Sequence, residues 1–294
     1  MSATDATCFR FVQLDVPGRI GLDDGRYLVR PAGGDADEDD TVLVVQTMGA
    51  PPAGRRPPRR RRRPQPADPV DGPPEVPITR LTVIPARTID ASELEAELEA
   101  LRADAAATEA AVTEGLREVN RVVRAHRIAN QDPYGHEIGR LTPIAVRLGV
   151  GTGAELADGR WTQAFTVPAP ERRQRRADAL RPQERLAELL SGRESIDVCE
   201  TLLLRARADL DQSRPREAAI QLSQGLDALL AELPDRAGPG QEEDLATLRE
   251  RRDSTSAIAS AALRADPSPE RVEELEETLR ICERVLRRRQ ALRE

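Results

Sequence analysis

The residues with the most distinctive chemistry are seven arginines crowded into nine positions. They are Arg55, Arg56, Arg59, Arg60, Arg61, Arg62 and Arg63. A guanidinium stays charged and can hold a phosphate or a carboxylate through two parallel hydrogen bonds. Such a run can bind a polyanion or an acidic partner by counterion release, without a folded pocket. Because no aromatic residue stands among these arginines to stack on bases, a solvated linker is the competing interpretation.

Both histidines, His126 and His136, lie near a turn that carries Asp132, Tyr134 and Glu137. Imidazole and carboxylate together form a normal zinc or iron ligand set, and the same groups could act as acid and base. The two histidines are ten positions apart, however, and no HxxxH or HxxE spacing places two ligands on one helical face. We expect His126 on the packing seam of a helix and His136 near the surface. The sequence therefore assigns no catalytic residue, no metal ligand and no cofactor, and an enzyme or metal site around these histidines stays an alternative.

The glycine-rich stretch Gly149-Val150-Gly151-Thr152-Gly153 could curl its backbone amides around an anion. Its context argues against that function, because it follows a predicted helix over 134–148 that Pro143 should kink or end. We predict a flexible connection that leads to a strand within 161–167. The chain contains no lysine at all, which excludes Schiff-base chemistry and the P-loop of nucleotide-binding proteins.

The charge of the chain is strongly segregated. The net charge is −7 over 294 residues, and removing the seven clustered arginines leaves −14 for the rest, a body that repels nucleic acid at long range. The chain has an odd number of cysteines, and the three lie far apart, at Cys8, Cys199 and Cys282. This pattern excludes a disulfide framework. No apolar run approaches a membrane span, and the first residues lack the features of a secretory signal. We therefore expect a cytoplasmic protein.

The first 84 residues have the alternation that is typical of β-strands. We predict strands at 9–14, 27–29, 42–45 and 78–84. Between the third and fourth strands, residues 49–77 combine many prolines with the arginine run and have few apolar side chains. That composition predicts a disordered insertion.

Helical periodicity replaces the alternation after Asp90. Apolar and small residues recur in steps of four and three from Leu94 to His126, which predicts one long helix with a narrow coiled-coil-like seam, capped by Asp90 or Ser92. Five more helices are predicted at about 182–191, 195–211, 215–233, 241–264 and 268–293. Ile196 and Cys199 begin the seam of the second of these five. Short loops make them successive antiparallel neighbours.

One pair of these helices has a familiar local pattern. The stretch Ala206 to Leu233, with a short turn before Glu217-Ala218 and a regularly apolar helix after it, resembles the middle of a tetratricopeptide unit. The resemblance covers one helix pair, and the chain shows no 34-residue self-similarity on either side of it. No family is assigned on this basis.

These observations predict an α+β fold. A small, mainly antiparallel sheet packed by a long helix should occupy residues 1–170, and antiparallel helices should occupy 178–294. The favoured function is a non-catalytic interaction or scaffold protein, with partner-binding or self-associating helical surfaces and a flexible arginine-rich arm. A low-specificity nucleic-acid or other polyanion-binding protein is the alternative.

Overall fold

The protein is described by a computed structural model. It covers residues 7–30, 40–49, 76–90, 92–170, 182–232 and 240–291. The chain divides into two compact units, Met1–Pro170 and Glu171–Glu294. The first contains an antiparallel sheet and the second is helical, which confirms the predicted α+β class. The seven clustered arginines and almost all of the predicted insertion at 49–77 lie outside the described residues.

Among its described residues, the first unit contains one seven-stranded antiparallel sheet. Its strands are β1 (Cys8–Pro17), β2 (Gly25–Val29), β3 (Thr41–Met48), β4 (Ile78–Pro85), β5 (Thr88–Ile89), β6 (Ala145–Thr152) and β7 (Gln163–Thr166). The spatial order is β2-β3-β4-β1-β6-β7, and β5 pairs with the start of β1. The four strands predicted before residue 85 are confirmed, with longer bounds. The first strand of the chain is thus a central strand of the sheet.

Two helices, α1 (Leu94–Ala103) and α2 (Ala105–Asn130), correct the prediction of one long helix. The chain is extended at Asp104, whose carboxylate accepts hydrogen bonds from the amides of Ala106 and Ala107 at 2.8 and 3.1 Å. An aspartate that caps a new helix in this way competes with continuation of the old one. The N-cap of α1 is Glu93, without a side-chain hydrogen bond, rather than the predicted Asp90 or Ser92.

The helical layer packs on one face of the sheet. Val12, Leu14 and Val16 alternate along β1 on this face and are buried there together with Val112 and Val119 of α2. The contact is closest at Gly115, where an added Cβ would lie 2.9 Å from the Cβ of Val12. A residue without a side chain therefore lets α2 lie directly on the central strand.

The predicted helix over 134–148 is wrong. Residues 131–144 form turns and irregular structure, and β6 starts at Ala145. Gly149 and Gly151 lie within β6 rather than in a flexible connection. An added Cβ at Gly149 would lie 2.2 Å from the carbonyl oxygen of Gln163 in β7. Glycine is therefore required at this position of β6, which lies between β7 and β1. Thr152 and Glu155 then form a capping box at the start of α3 (Gly153–Ala157).

The second unit contains the five predicted helices: α4 (Pro182–Leu190), α5 (Val198–Asp211), α6 (Pro215–Glu232), α7 (Glu242–Ala262) and α8 (Pro269–Ala291). Its core is formed by seam residues of the last four, among them Leu203, Leu226, Leu248 and Leu279. Ile196 was predicted to lie in the seam but precedes α5 and is 65% exposed.

Candidate functional site

A cluster of charged side chains occupies the face of the sheet opposite α1 and α2. Asp15 of β1 faces Arg80 of β4, and Arg147 lies on the other neighbouring strand, β6. Arg80 donates hydrogen bonds to the Asp15 carboxylate at 2.8 and 3.1 Å, and Arg147 donates one at 2.7 Å. Burial raises the pKa of the Asp15 carboxyl, but the hydrogen bonds and charges of the two arginines outweigh it and hold this pKa below its usual value.

The only tryptophan, Trp161, covers this cluster. Its ring centroid lies 5.9 Å from the guanidinium carbon of Arg80 and 5.5 Å from that of Arg147. Its ring also stacks on Phe11 at 5.9 Å. Trp161 therefore anchors the loop after α3 to the sheet. Two cations against an indole ring stabilise this loop.

A buried glutamine completes the polar cluster. The Gln13 side-chain amide donates hydrogen bonds to the Thr82 hydroxyl at 3.0 Å and to the Gly159 carbonyl at 3.2 Å. Its oxygen accepts one from Arg147 at 3.3 Å. Because these side chains satisfy one another, the geometry is that of a structural network, which fixes three strands and a loop.

A cavity of about 340 Å³ opens on the other face of the sheet, under the helices. The volume is at the lower end of the range for small-molecule pockets. Apolar side chains from the sheet and from both helices line it: Val12, Val29, Val83, Leu101, Ala111 and Leu148. Arg10, Glu114, Glu118 and Arg121 add four charged groups to the lining. The lining therefore combines apolar side chains with charged groups of both signs.

His126 and His136 do not come together in a metal or acid–base site. His126 is half-buried on α2, its Nε2 lies 3.8 Å from the position of a Cβ on Gly21, and its ring contacts the Asn130 amide at 3.3 Å. His136 is exposed. Asp132 instead caps its own turn by accepting a hydrogen bond from the Tyr134 amide at 2.9 Å. Across the described ranges, no three His, Cys, Asp or Glu side chains form a group able to hold a metal ion.

Comparison with protein-family models, with curated proteins and with solved structures finds no match. No helix in the described part of the chain combines the length and hydropathy that crossing a membrane requires. The function must therefore be argued from the surfaces and cavities of the chain itself.

The three cysteines are buried as free thiols. Burial raises the pKa of the Cys282 thiol to about 12. Burial also raises the pKa of the Cys199 thiol, with a further contribution from the adjacent Glu232 carboxylate. Because the thiolate is the nucleophilic form, neither position is suited to nucleophilic catalysis.

An apolar surface is present on the second unit, and we define it as the α4 surface by Leu186 and Leu190. These two leucines are 46% and 80% exposed. Among the described residues α4 buries no side chain, although three leucines recur on one side of the helix at 186, 189 and 190. Arg185 connects α4 to the rest of the unit through ion pairs with Glu194 at 3.4 Å and Glu200 at 2.6 Å.

Sequence reasoning missed the Asp15 cluster and the cavity. Gln13 and Asp15 interrupt the apolar pattern of β1 at every second position, which is a sign that one face of the sheet carries polar groups. The partners Arg80 and Arg147 become identifiable only when the register of the sheet is known. The cavity has no counterpart in the sequence pattern, because it depends on how helix and sheet approach one another.

Proposed function

We propose that the chain is a non-catalytic interaction protein that associates with a second copy of itself through the α4 surface. The observation that carries this proposal is the nine-residue α4, which has an apolar side and no buried residue in the described part of the chain.

A helix of this length is not stable alone in water. Nucleation is costly, and isolated helices shorter than about 12–15 residues are marginal. Helices in proteins gain most of their stability by burying an apolar face. In the described part of this unit α4 buries no side chain, although Arg185 forms ion pairs with Glu194 and Glu200. Burial of Leu186 and Leu190 in an interface would stabilise α4 by about 1.5–3 kcal/mol for each fully buried side chain.

A second copy of the chain can provide the matching apolar surface, because it carries the same leucines. The same leucines on both chains form a self-complementary apolar contact, as a twofold interface requires. Glu184, Arg185 and Glu188 on the same helix are charges of both signs, which suits the polar rim of such a contact.

The test measures the mass of the full chain in solution. Light scattering after size exclusion, over about 1 to 100 μM, should show a mass that rises above the 32.3 kDa of one chain. The double variant Leu186→Gln and Leu190→Gln should keep the mass of one chain. Glutamine preserves helix propensity, so this variant removes apolar surface without weakening α4 itself.

Leu263→Gln is the matched control. Leu263 lies at the end of α7 and is 66% exposed, so the substitution removes a leucine of similar exposure from another place in the same unit. This variant should associate as the native chain does. A native chain of constant single-chain mass, or a double variant that associates normally, would contradict the proposal.

We also propose that the clustered arginines contact an acidic partner. Their seven charges stand in a chain whose remaining net charge is −14, so an acidic protein or another polyanion is the partner that their chemistry fits. Binding should weaken steeply with salt and be lost when Arg59 to Arg63 become glutamine; salt-insensitive binding would contradict this mechanism. A cytoplasmic location also stays a proposal.

A further inference from the structure

The cavity under α1 and α2 is built for an apolar molecule. Leu101 at the end of α1 and Ala111 near the start of α2 form one side of it, and Val12, Val83 and Leu148 from three adjacent strands form the other. Taking about 30 Å³ for the volume of a water molecule, the space of about 340 Å³ corresponds to about eleven waters, or a molecule of similar heavy-atom number. An apolar lining of this kind favours a hydrocarbon body over water.

One end of the cavity carries the guanidinium of Arg10, and the charge of Arg87 acts on it. Arg10 of β1 lines the cavity and forms an ion pair with Glu97 of α1. The charge of Arg87 acts on the same guanidinium: burial, and then this neighbouring charge, lower the pKa of Arg10. Two guanidiniums thus act on one another at this end, where Glu97 pairs with Arg10, and a carboxylate placed against Arg10 would be stabilised.

On the helix side of the cavity, carboxylates and guanidiniums lie in pairs. Glu118 lies 3.7 Å from Arg121, and Glu114 lies 3.1 Å from Arg117. Each of these carboxylates thus has a guanidinium of α2 beside it.

We propose that this cavity binds a monocarboxylate with an unbranched or aromatic apolar body of about ten carbons, the carboxylate at Arg10 and the body between the sheet and the helices. This site lies in the first unit and is independent of the α4 surface, so the two proposals can fail separately.

Decanoate is the probe, measured by titration calorimetry on the full chain at concentrations below micelle formation. We expect saturable binding at one site with a Kd of order 100 μM. Decanol and decylammonium, which have the same body and a different end group, should each bind at least tenfold more weakly. Equal or tighter binding of decylammonium would overturn the assignment of a carboxylate to the Arg10 end.

Two pairs of variants locate the site. Ala111→Leu fills the cavity and should abolish binding, whereas Ala110→Leu, at the exposed neighbouring position of α2, should leave it unchanged. Arg10→Gln should raise the Kd at least tenfold, whereas Arg26→Gln removes an exposed arginine on the other face of the sheet and should have no effect. The Arg10 variant keeps the proposal testable if Ala111→Leu does not fold. No saturable binding, or binding that neither Ala111→Leu nor Arg10→Gln alters, would overturn it.

Discussion

Replacing Asp15 by asparagine removes the negative charge from between Arg80 and Arg147 while almost preserving the shape of the side chain. The Asp15 side chain is 8% exposed, and those of its two partners are 21% and 23% exposed. Removing one partner of a buried ion pair costs about 3–5 kcal/mol, because the remaining charges stay desolvated. Since water reaches part of both guanidiniums, we expect the lower end, a loss of about 3 kcal/mol in the free energy of unfolding.

Tryptophan fluorescence during thermal or denaturant unfolding measures this loss in the first unit alone, because Trp161 is the only tryptophan and lies against the two arginines. For a unit of this size, about 3 kcal/mol corresponds to a fall of about 6–12 °C in Tm. Asp158→Asn is the control, because the Asp158 side chain is 53% exposed and its ion pairs should contribute less than about 1 kcal/mol. Equal losses in the two variants would refute the reasoning.

Acid provides an independent check of the same cluster. The folded pKa of Asp15 is lowered from the unfolded value of about 3.9, so its stabilisation is complete well above that value and is lost as pH falls through the folded pKa. The difference in stability between the native chain and Asp15→Asn should therefore be constant near pH 7 and shrink below about pH 4. A difference that grows on acidification would contradict the ion-pair interpretation.

Three further perturbations have expected outcomes. Gly149→Ala should destabilise the first unit by about 1–3 kcal/mol or more, because its Cβ would lie 2.2 Å from a carbonyl oxygen of the next strand. Gly25→Ala is the control in the same fluorescence assay. Its Cβ would have its nearest neighbour at 4.0 Å, so this substitution should cost less than about 1 kcal/mol. Asp104→Ala removes the cap of α2 and should lower the free energy of unfolding by about 1 kcal/mol; an unchanged value would show that the cap contributes nothing. Cys199 and Cys282 should resist alkylation at about pH 8 until the chain unfolds, because burial keeps them as thiols; rapid labelling of the native chain, followed by mass spectrometry, would contradict this.

The elements that the sequence predicts well have a local signature. Alternation identifies the strands before residue 85, and the spacing of apolar residues identifies the five helices after residue 182. The break at Asp104 escapes the same reasoning, because the apolar spacing continues through it and only the capping tendency of one aspartate opposes it. In β6, Val146, Leu148 and Val150 do alternate, but the neighbouring Gly149 and Gly151 are typical of a loop.

The sites depend on information that is not local. The Asp15 cluster joins residues 65 and 132 positions apart, and its assembly requires the antiparallel register of β4 and β6 on either side of β1. The α4 surface is different, because its leucines are recognisable in the sequence as one side of a helix. What the sequence cannot show is which helical faces are already covered by other helices of the same unit.

The central position of β1 also governs the order in which the protein can fold. This strand precedes its partners β4 and β6 in the chain by about 65 and 132 residues. One edge of this strand can pair with β4 and the other only with the later β6, and such non-local pairing makes folding slow. The helices of the second unit pack mainly on their neighbours in sequence, so they can fold rapidly. During synthesis β1 therefore exposes apolar side chains until its partners follow, which makes it prone to aggregation.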